Sequence, residues 1–158
     1  MPDIAEALSN GRLKVLLLLG TNMLSSFADA GHIAEGLDNA DMVVCVDLFM
    51  NETTRRFADV VLPGTAWLEE LGFKVTNTHL YLIERALERE GEARPIYEIL
   101  GSLAKSLGLA DLFPWGSVEE VLDAILDHTT GHATVTSLCR WWLPAAQGAP
   151  RRLCRSKL

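Results

Sequence analysis

Three short runs in this sequence carry residue types suited to holding a ligand. The first is Gly20-Thr21-Asn22, which closes the apolar run of "KVLLLLGTNMLSS" (residues 14–26) and precedes Ser25 and Ser26. A glycine after a strand lets the chain turn sharply and leaves backbone N–H groups uncovered; with the start of a helix behind them, such groups cradle a phosphate. The second is Asp47, the last residue of "MVVCVD". A carboxylate there accepts from a ribose hydroxyl, or from the N1–H and N2–H of a guanine. The third is "NETT", residues 51–54, with the hydroxyls of Thr53 and Thr54 and the free N–H groups of a helix start. Each run also has a plainer reading. Gly20-Thr21-Asn22 makes a tight turn, Asp47 caps a helix, and Asn51 with Thr54 satisfies backbone groups. Together the three describe a nucleotide site without saying which nucleotide, because the spacing is not G-x-G-x-x-G.

Other chemistries find less support. Glu69 and Glu70 are adjacent in an extended segment, so their side chains diverge and make a poor acid–base pair. No G-x-S-x-G elbow surrounds any serine. The cysteines are Cys45, Cys139 and Cys154, an odd number without C-x-x-C spacing, which gives neither a disulfide framework nor an iron–sulfur or zinc site. Cys45, inside "MVVCVD", reads as a buried strand thiol. His128 and His132 are four apart, but "DHTTGHAT" reads as a loop, and metal binding there is not expected.

The elements that must position these residues follow from apolar spacing. Residues 2–10 read as a helix with Ile4, Ala5 and Leu8 on one side. Residues 14–19 and "MVVCV" read as strands buried on both faces. The stretch "SFADAGHIAEGLDNA" reads as one helix with Phe27, Ala30, Ile33, Ala34 and Leu37 inward. A short helix capped by Asn51 leads to "DVVLP", a third strand stopped by Pro63. Alternating buried strands and helices imply parallel βαβ units. From residue 64 the pattern changes to extended segments around Gly72, with Leu80 and Leu82 alternating against Tyr81 and Ile83. Two amphipathic helices follow. One covers 96–107 and ends at Gly108; the other is "SVEEVLDAILDH", with Ser117 and Glu120 as a capping box and Val118, Val121, Leu122 and Ile125 inward.

At 158 residues, with 49% hydrophobic and 22% charged residues, the chain fits one globular domain or a part of something larger. All 21 carboxylates lie at or before Asp127, against nine lysines and arginines in residues 1–137; Arg140, Arg151, Arg152, Arg155 and Lys157 follow with no acid. A body that acidic argues against a nucleic-acid partner. The acidic N-terminus is no signal peptide and no run is long enough to span a membrane, so a cytoplasmic location is expected. Residues 138–158, with two prolines and paired tryptophans, read as a disordered or loosely docked tail. The terminal "SKL" matches a peroxisomal address over three residues only.

The order of motifs is familiar. "LLLLGTNMLSS", then "ADMVVCVDLFMNETTRRFADVVLPGTAWLEELG", then "TNTHLYLIERALEREGEARPIYEILGSLAKSLGL" resembles the molybdopterin oxidoreductase family of the dimethyl-sulfoxide-reductase type, from about residue 10 to about 137. The resemblance implies an α/β fold: a Rossmann-like, mostly parallel sheet flanked by helices, in an incomplete version of the family domain, over residues 1–137. It implies a molybdopterin guanine dinucleotide cofactor, one of two that hold molybdenum or tungsten in that family. By the same likeness Gly20, Thr21 and Asn22 face the diphosphate, Val46 and Asp47 meet the guanosine end, Thr53 supports the pocket, and Glu70 stands where some members carry a lysine touching the cofactor.

The departures shape the expectation. Met23 replaces the family's usual proline, and Ile96 follows "GEARP" where many members place an acidic cofactor ligand. The family's iron–sulfur cysteines, metal-ligating residue and C-terminal cofactor domain have no counterpart, and the first strands of the sheet are expected to be missing. The expected function is therefore that of a partial domain binding one dinucleotide arm, inactive alone and completed by further oxidoreductase domains or subunits. Two alternatives stand beside it: a cofactor-free interaction module, dimerising through an open sheet edge, and a general nucleotide-binding domain. Binding of the pterin dinucleotide separates them.

Overall fold

A computed structural model describes residues 2–75, 79–129, 134–136 and 156–157. The chain divides into two compact units. The first comprises residues 1–65 and 89–96, the second residues 66–88 and 97–158.

The first unit is built on three parallel strands in the order β1 (Val15–Leu19), β2 (Met42–Asp47), β3 (Val60–Pro63). Leu19 pairs with Val46 and Asp47 with Pro63, so all three strands end at one edge. Helix α1 (Pro2–Ser9) precedes β1. Between β1 and β2 lie α2 (Met23–Ser26) and α3 (Ala30–Asp38), and α4 (Glu52–Phe57) links β2 to β3. Ala5 and Leu8 of α1, Met23 and Leu24 of α2, and Ile33 and Leu37 of α3 pack on Leu18, Val43 and Cys45. Gly36 allows α1 and α3 to lie close: a Cβ there would sit 3.1 Å from the Leu8 Cβ and 3.3 Å from the Ala5 carbonyl oxygen. Asp59 fixes the β2–β3 register, its N–H donating to the Val43 carbonyl and its Oδ2 accepting from the Val43 N–H.

Two features differ from the sequence reading. The helix expected over 26–40 is broken: Phe27 is extended and Asp29 takes a left-handed conformation (φ 61°), accepting from the His32 N–H as the cap of α3. Asp tolerates that conformation and caps well, so the chain starts a new helix there. The strands are also not buried on both faces. Leu18, Val43 and Cys45 lie under helices, but the alternate residues of the opposite face include Val15 at 56% exposure, Leu19 at 37%, Met42 at 43% and Val60 at 40%.

In the second unit β4 (Gly72–Val75) pairs antiparallel with β5 (His79–Ile83), and Leu80 and Leu82 are buried while their alternates are not. They form a core with Leu122 and Leu126 of α6 (Val118–Thr129) and with Val135. Ser117 accepts from the Glu120 N–H, while the Glu120 carboxylate reaches the Gly116 N–H, one residue before the expected partner. Ile125 is exposed, since Leu126 takes the inward position in that turn. His128 belongs to α6 rather than to a loop, and His132 lies outside the described residues. Helix α5 (Ile96–Ser106) is closed by Gly108 at φ 73°. The expected tail lies almost wholly outside the described residues; within it, Ser156–Lys157 pairs with β5 as β6.

Candidate functional site

The carboxyl edge of the parallel sheet gathers most of the expected site residues. Gly20 turns the chain out of β1 at φ 57°, and its N–H donates to the Val46 carbonyl at 2.8 Å. A Cβ placed on Gly20 would meet nothing within 4 Å, so conformation rather than crowding requires the glycine, and the space above it is open. Among the described residues the N–H groups of Thr21, Asn22 and Met23 have no acceptor. The helix behind them, α2, is a single turn. These donors therefore act as separate N–H groups, with little of the summed dipole that a long helix would supply.

Thr53 ties this turn to α4. Its Oγ1 donates to Asn22 Oδ1 at 2.7 Å and accepts from the Leu24 N–H at 3.1 Å, and the residue is fully buried. The hydroxyl is thus occupied on both sides. Thr53 supports the turn rather than facing a ligand, and with Asn22 Oδ1 engaged, the free end of that amide is its Nδ2.

Asp47 is half-buried at the end of β2. Its Oδ1 accepts from the Phe49 N–H at 3.1 Å and its Oδ2 from Asn51 Nδ2 at 2.8 Å, while Asn51 Oδ1 caps α4 by accepting from the Thr54 N–H at 3.0 Å. Asn51, not Asp47, is the helix cap. Each carboxylate oxygen keeps acceptor capacity after one such bond. Val46 is buried and contributes only backbone here, with its carbonyl already taken by Gly20. Beside Asp47, the Gly64 N–H donates to the Asp47 carbonyl at 3.0 Å.

Glu70 lies in the second unit. It follows a short 3₁₀ turn, Trp67–Glu69, in extended conformation, and Glu69 turns back so that its Oε2 accepts from the Ala66 N–H at 2.7 Å. Ile96, the first residue of α5, is exposed. Cys45 is buried, and burial pushes its thiol above the ordinary range; the Thr54 hydroxyl opposes this and the Asp47 carboxylate adds to it. A neutral, enclosed thiol is a poor nucleophile. Among the described residues no three His, Cys, Asp or Glu side chains come together in a way that would hold a metal ion.

Sequence reasoning passed over Gly64 and Arg94. Arg94 pairs with Gly64 in a parallel bridge and its N–H donates to the Pro63 carbonyl at 3.0 Å, extending the edge beyond β3. Arg94 of "GEARP" follows Pro63 by some thirty positions, and no local periodicity signals such a pairing.

A parallel sheet with helices packed on it, carrying open N–H donors and a carboxylate at the carboxyl ends of its strands, has the layout of an α/β nucleotide-binding domain. The particular family follows from comparison. Residues 1–106 match the family model described as molybdopterin oxidoreductase, and the chain belongs to that family. It is 34% identical over 137 residues to the F420-dependent formate dehydrogenase 1 subunit alpha of Methanococcus maripaludis, covering 86% of this chain and 20% of that protein. It is 30% identical over 131 residues to the assimilatory nitrate reductase catalytic subunit of Bacillus subtilis, covering 82% of this chain and 18% of that one. The solved acetylene hydratase from Pelobacter acetylenicus superposes with a TM-score of 0.69 at 31% identity, over 76% of this chain and 17% of that one. The chain spans about a fifth of the length of the curated relatives it matches. Its sequence corresponds to part of a molybdopterin oxidoreductase domain, and membership implies a molybdopterin cofactor.

The donor set fits such a group. Thr21, Asn22 and Met23 carry N–H groups with no acceptor among the described residues, beside the open turn at Gly20, as a phosphate group needs, and Asp47 offers spare lone pairs to hydroxyl or N–H donors. Thr65, next to Gly64, adds a buried Oγ1 with no hydrogen-bond partner among the described residues.

Proposed function

We propose that the first unit holds one arm of a molybdopterin guanine dinucleotide. The N–H groups of Thr21, Asn22 and Met23, with Asn22 Nδ2, bind the diphosphate, and Asp47 accepts from the guanosine. Gly20 supplies the turn, Val46 anchors it through its carbonyl, and Thr53 holds Asn22 in place. Glu70 belongs to the second unit and takes no part in this reading. The observation behind this reading is the Thr53 hydroxyl bridge, which fixes the Asn22 amide so that its nitrogen is the end left free. When bound, the pterin carries the metal that performs redox chemistry. This chain's residues bind and orient the dinucleotide; they move no electrons themselves.

The domain would run over residues 1–137, with 138–158 as an appended basic tail, in the reducing cytoplasm that a free Cys45 suits. Other oxidoreductase domains or subunits would complete the enzyme. The exposed Val15, Leu19 and Met42, and the β1 edge, favour a second reading in which a further chain or a second copy covers them. Metal and pterin content of the purified full chain, beside its mass in solution, tests both. Near one pterin per chain, lost in Asp47→Ala, supports the cofactor reading. A folded dimer without pterin refutes it in favour of the interaction module.

A further inference from the structure

We infer that Arg94 reads the nucleobase, making the edge selective for guanine; this deepens the dinucleotide reading and rests on it. Arg94 is held at its backbone, bridged to Gly64 and donating to the Pro63 carbonyl, so it occupies a fourth position along the carboxyl edge. Asp47 pairs with Pro63 in the neighbouring row. Strand spacing puts the two backbones roughly 10 Å apart, a span that a purine and an extended arginine fill. Alternation places Asp47 on the helix-covered face and Gly64 with Arg94 on the other, so the two side chains approach the edge from opposite sides.

Gly64 keeps that approach open. It has no side chain between Arg94 and Asp47, and its N–H is already spent on the Asp47 carbonyl. Arg94 is exposed, and among the described residues its guanidinium has neither a hydrogen bond nor an ion pair. The neighbouring acids do not claim it: Glu88 pairs with Arg85.

The chemistry of the two groups is complementary to guanine. Asp47 accepts from N1–H and N2–H, while a guanidinium donates in bidentate fashion to O6 and N7. Adenine offers the reverse pattern at N1 and at the 6-position, so it would leave the carboxylate facing a lone pair and the guanidinium facing an amine. Xanthine and hypoxanthine keep O6 and N7 and differ only on the Asp47 side.

The test is equilibrium binding of GDP, 7-deaza-GDP, IDP and ADP to the full chain, wild type against Arg94→Gln and Arg94→Lys. The wild type should bind GDP about tenfold or more tighter than ADP, and tighter than 7-deaza-GDP, which lacks N7. Arg94→Gln should lose about tenfold toward GDP and bind GDP and 7-deaza-GDP alike, while keeping its preference for GDP over IDP, which reports Asp47. Arg94→Lys keeps a cationic donor for O6 or N7 without the fork, so it should recover only part of the GDP affinity that Arg94→Gln loses. Unchanged GDP affinity in Arg94→Gln, or an unchanged preference of that variant for GDP over 7-deaza-GDP, overturns the role of Arg94 and leaves Asp47 in place. No GDP binding by the folded wild type overturns the dinucleotide reading and this inference with it.

Discussion

Thr53→Val is the sharpest test of how the cradle is held. Valine matches threonine in shape, so the change removes the hydroxyl and little else. Two hydrogen bonds go: the one donated to Asn22 Oδ1 at 2.7 Å and the one accepted from the Leu24 N–H at 3.1 Å. Leu24 is buried, so its stranded N–H costs about 1–3 kcal/mol. Asn22 is half-exposed and re-pairs with water, so its loss adds only about 0.5 kcal/mol. We expect about 2–3 kcal/mol in all. Thr53→Ser keeps both bonds and loses one buried methyl, for about 1 kcal/mol. Tryptophan fluorescence is the wrong probe, because residues 1–65 and 89–96 contain no tryptophan. Amide hydrogen exchange on a peptide covering residues 15–26 reads the effect directly. The valine variant should exchange roughly 30- to 150-fold faster where exchange reports opening of the first unit, and the serine variant several-fold. Diphosphate-dependent affinity for GDP should fall in the valine variant, although Thr53 touches no ligand. If Thr53→Val and Thr53→Ser behave alike, the hydroxyl bridge does not position the turn and the proposed order of support is wrong.

Four further outcomes are expected. Gly20→Ala should cost about 1 kcal/mol from its left-handed backbone, with Gly20→Asn milder, measured as urea midpoints; equal stability of Gly20→Ala would contradict the φ of 57°. Cys45 should resist iodoacetamide at pH 8 in peptide mapping, because its folded pKa is raised; its contribution to stability is full below the unfolded thiol's pKa and is lost as pH climbs through the folded one. Val15→Lys with Met42→Lys should abolish any self-association seen by sedimentation while shifting the unfolding midpoint by less than about 0.5 kcal/mol, and a collapse of the fold would show that face to be covered. Leu126→Ala, at a fully buried position of the second core, should cost about 2–5 kcal/mol by denaturant melt.

How much of this was legible depends on the range of the interaction. The three strands, the Asn51 cap and α6 announce themselves in neighbouring residues, because strand runs, capping side chains and helical spacing are local. The cradle was legible as a set of residue types. Its wiring was not, since Thr53 meets Asn22 across 31 positions and nothing local marks that pair. Five apolar residues in β1 suggest burial on both faces, yet the pattern cannot say whether the covering layer belongs to this chain. Asp29 was a readable cap, overlooked because the apolar spacing runs on through it from Phe27. The Gly64–Arg94 bridge joins positions whose separation hides any signature.

That bridge also has a topological consequence. Gly64 and Arg94 are neighbours in space, so everything between them leaves the first sheet and returns at a single point. The hairpin of β4 and β5 is in this sense a detour with a shared exit and entrance. Replacing residues 67–88 by a glycine-serine linker of about eight residues roughly halves the closed loop and lowers its closure entropy cost by only about 0.6 kcal/mol. Changes within such a detour leave the threading of the sheet whose strand ends make the cradle untouched, while Leu80 and Leu82 on its strands tie its content to the second core instead.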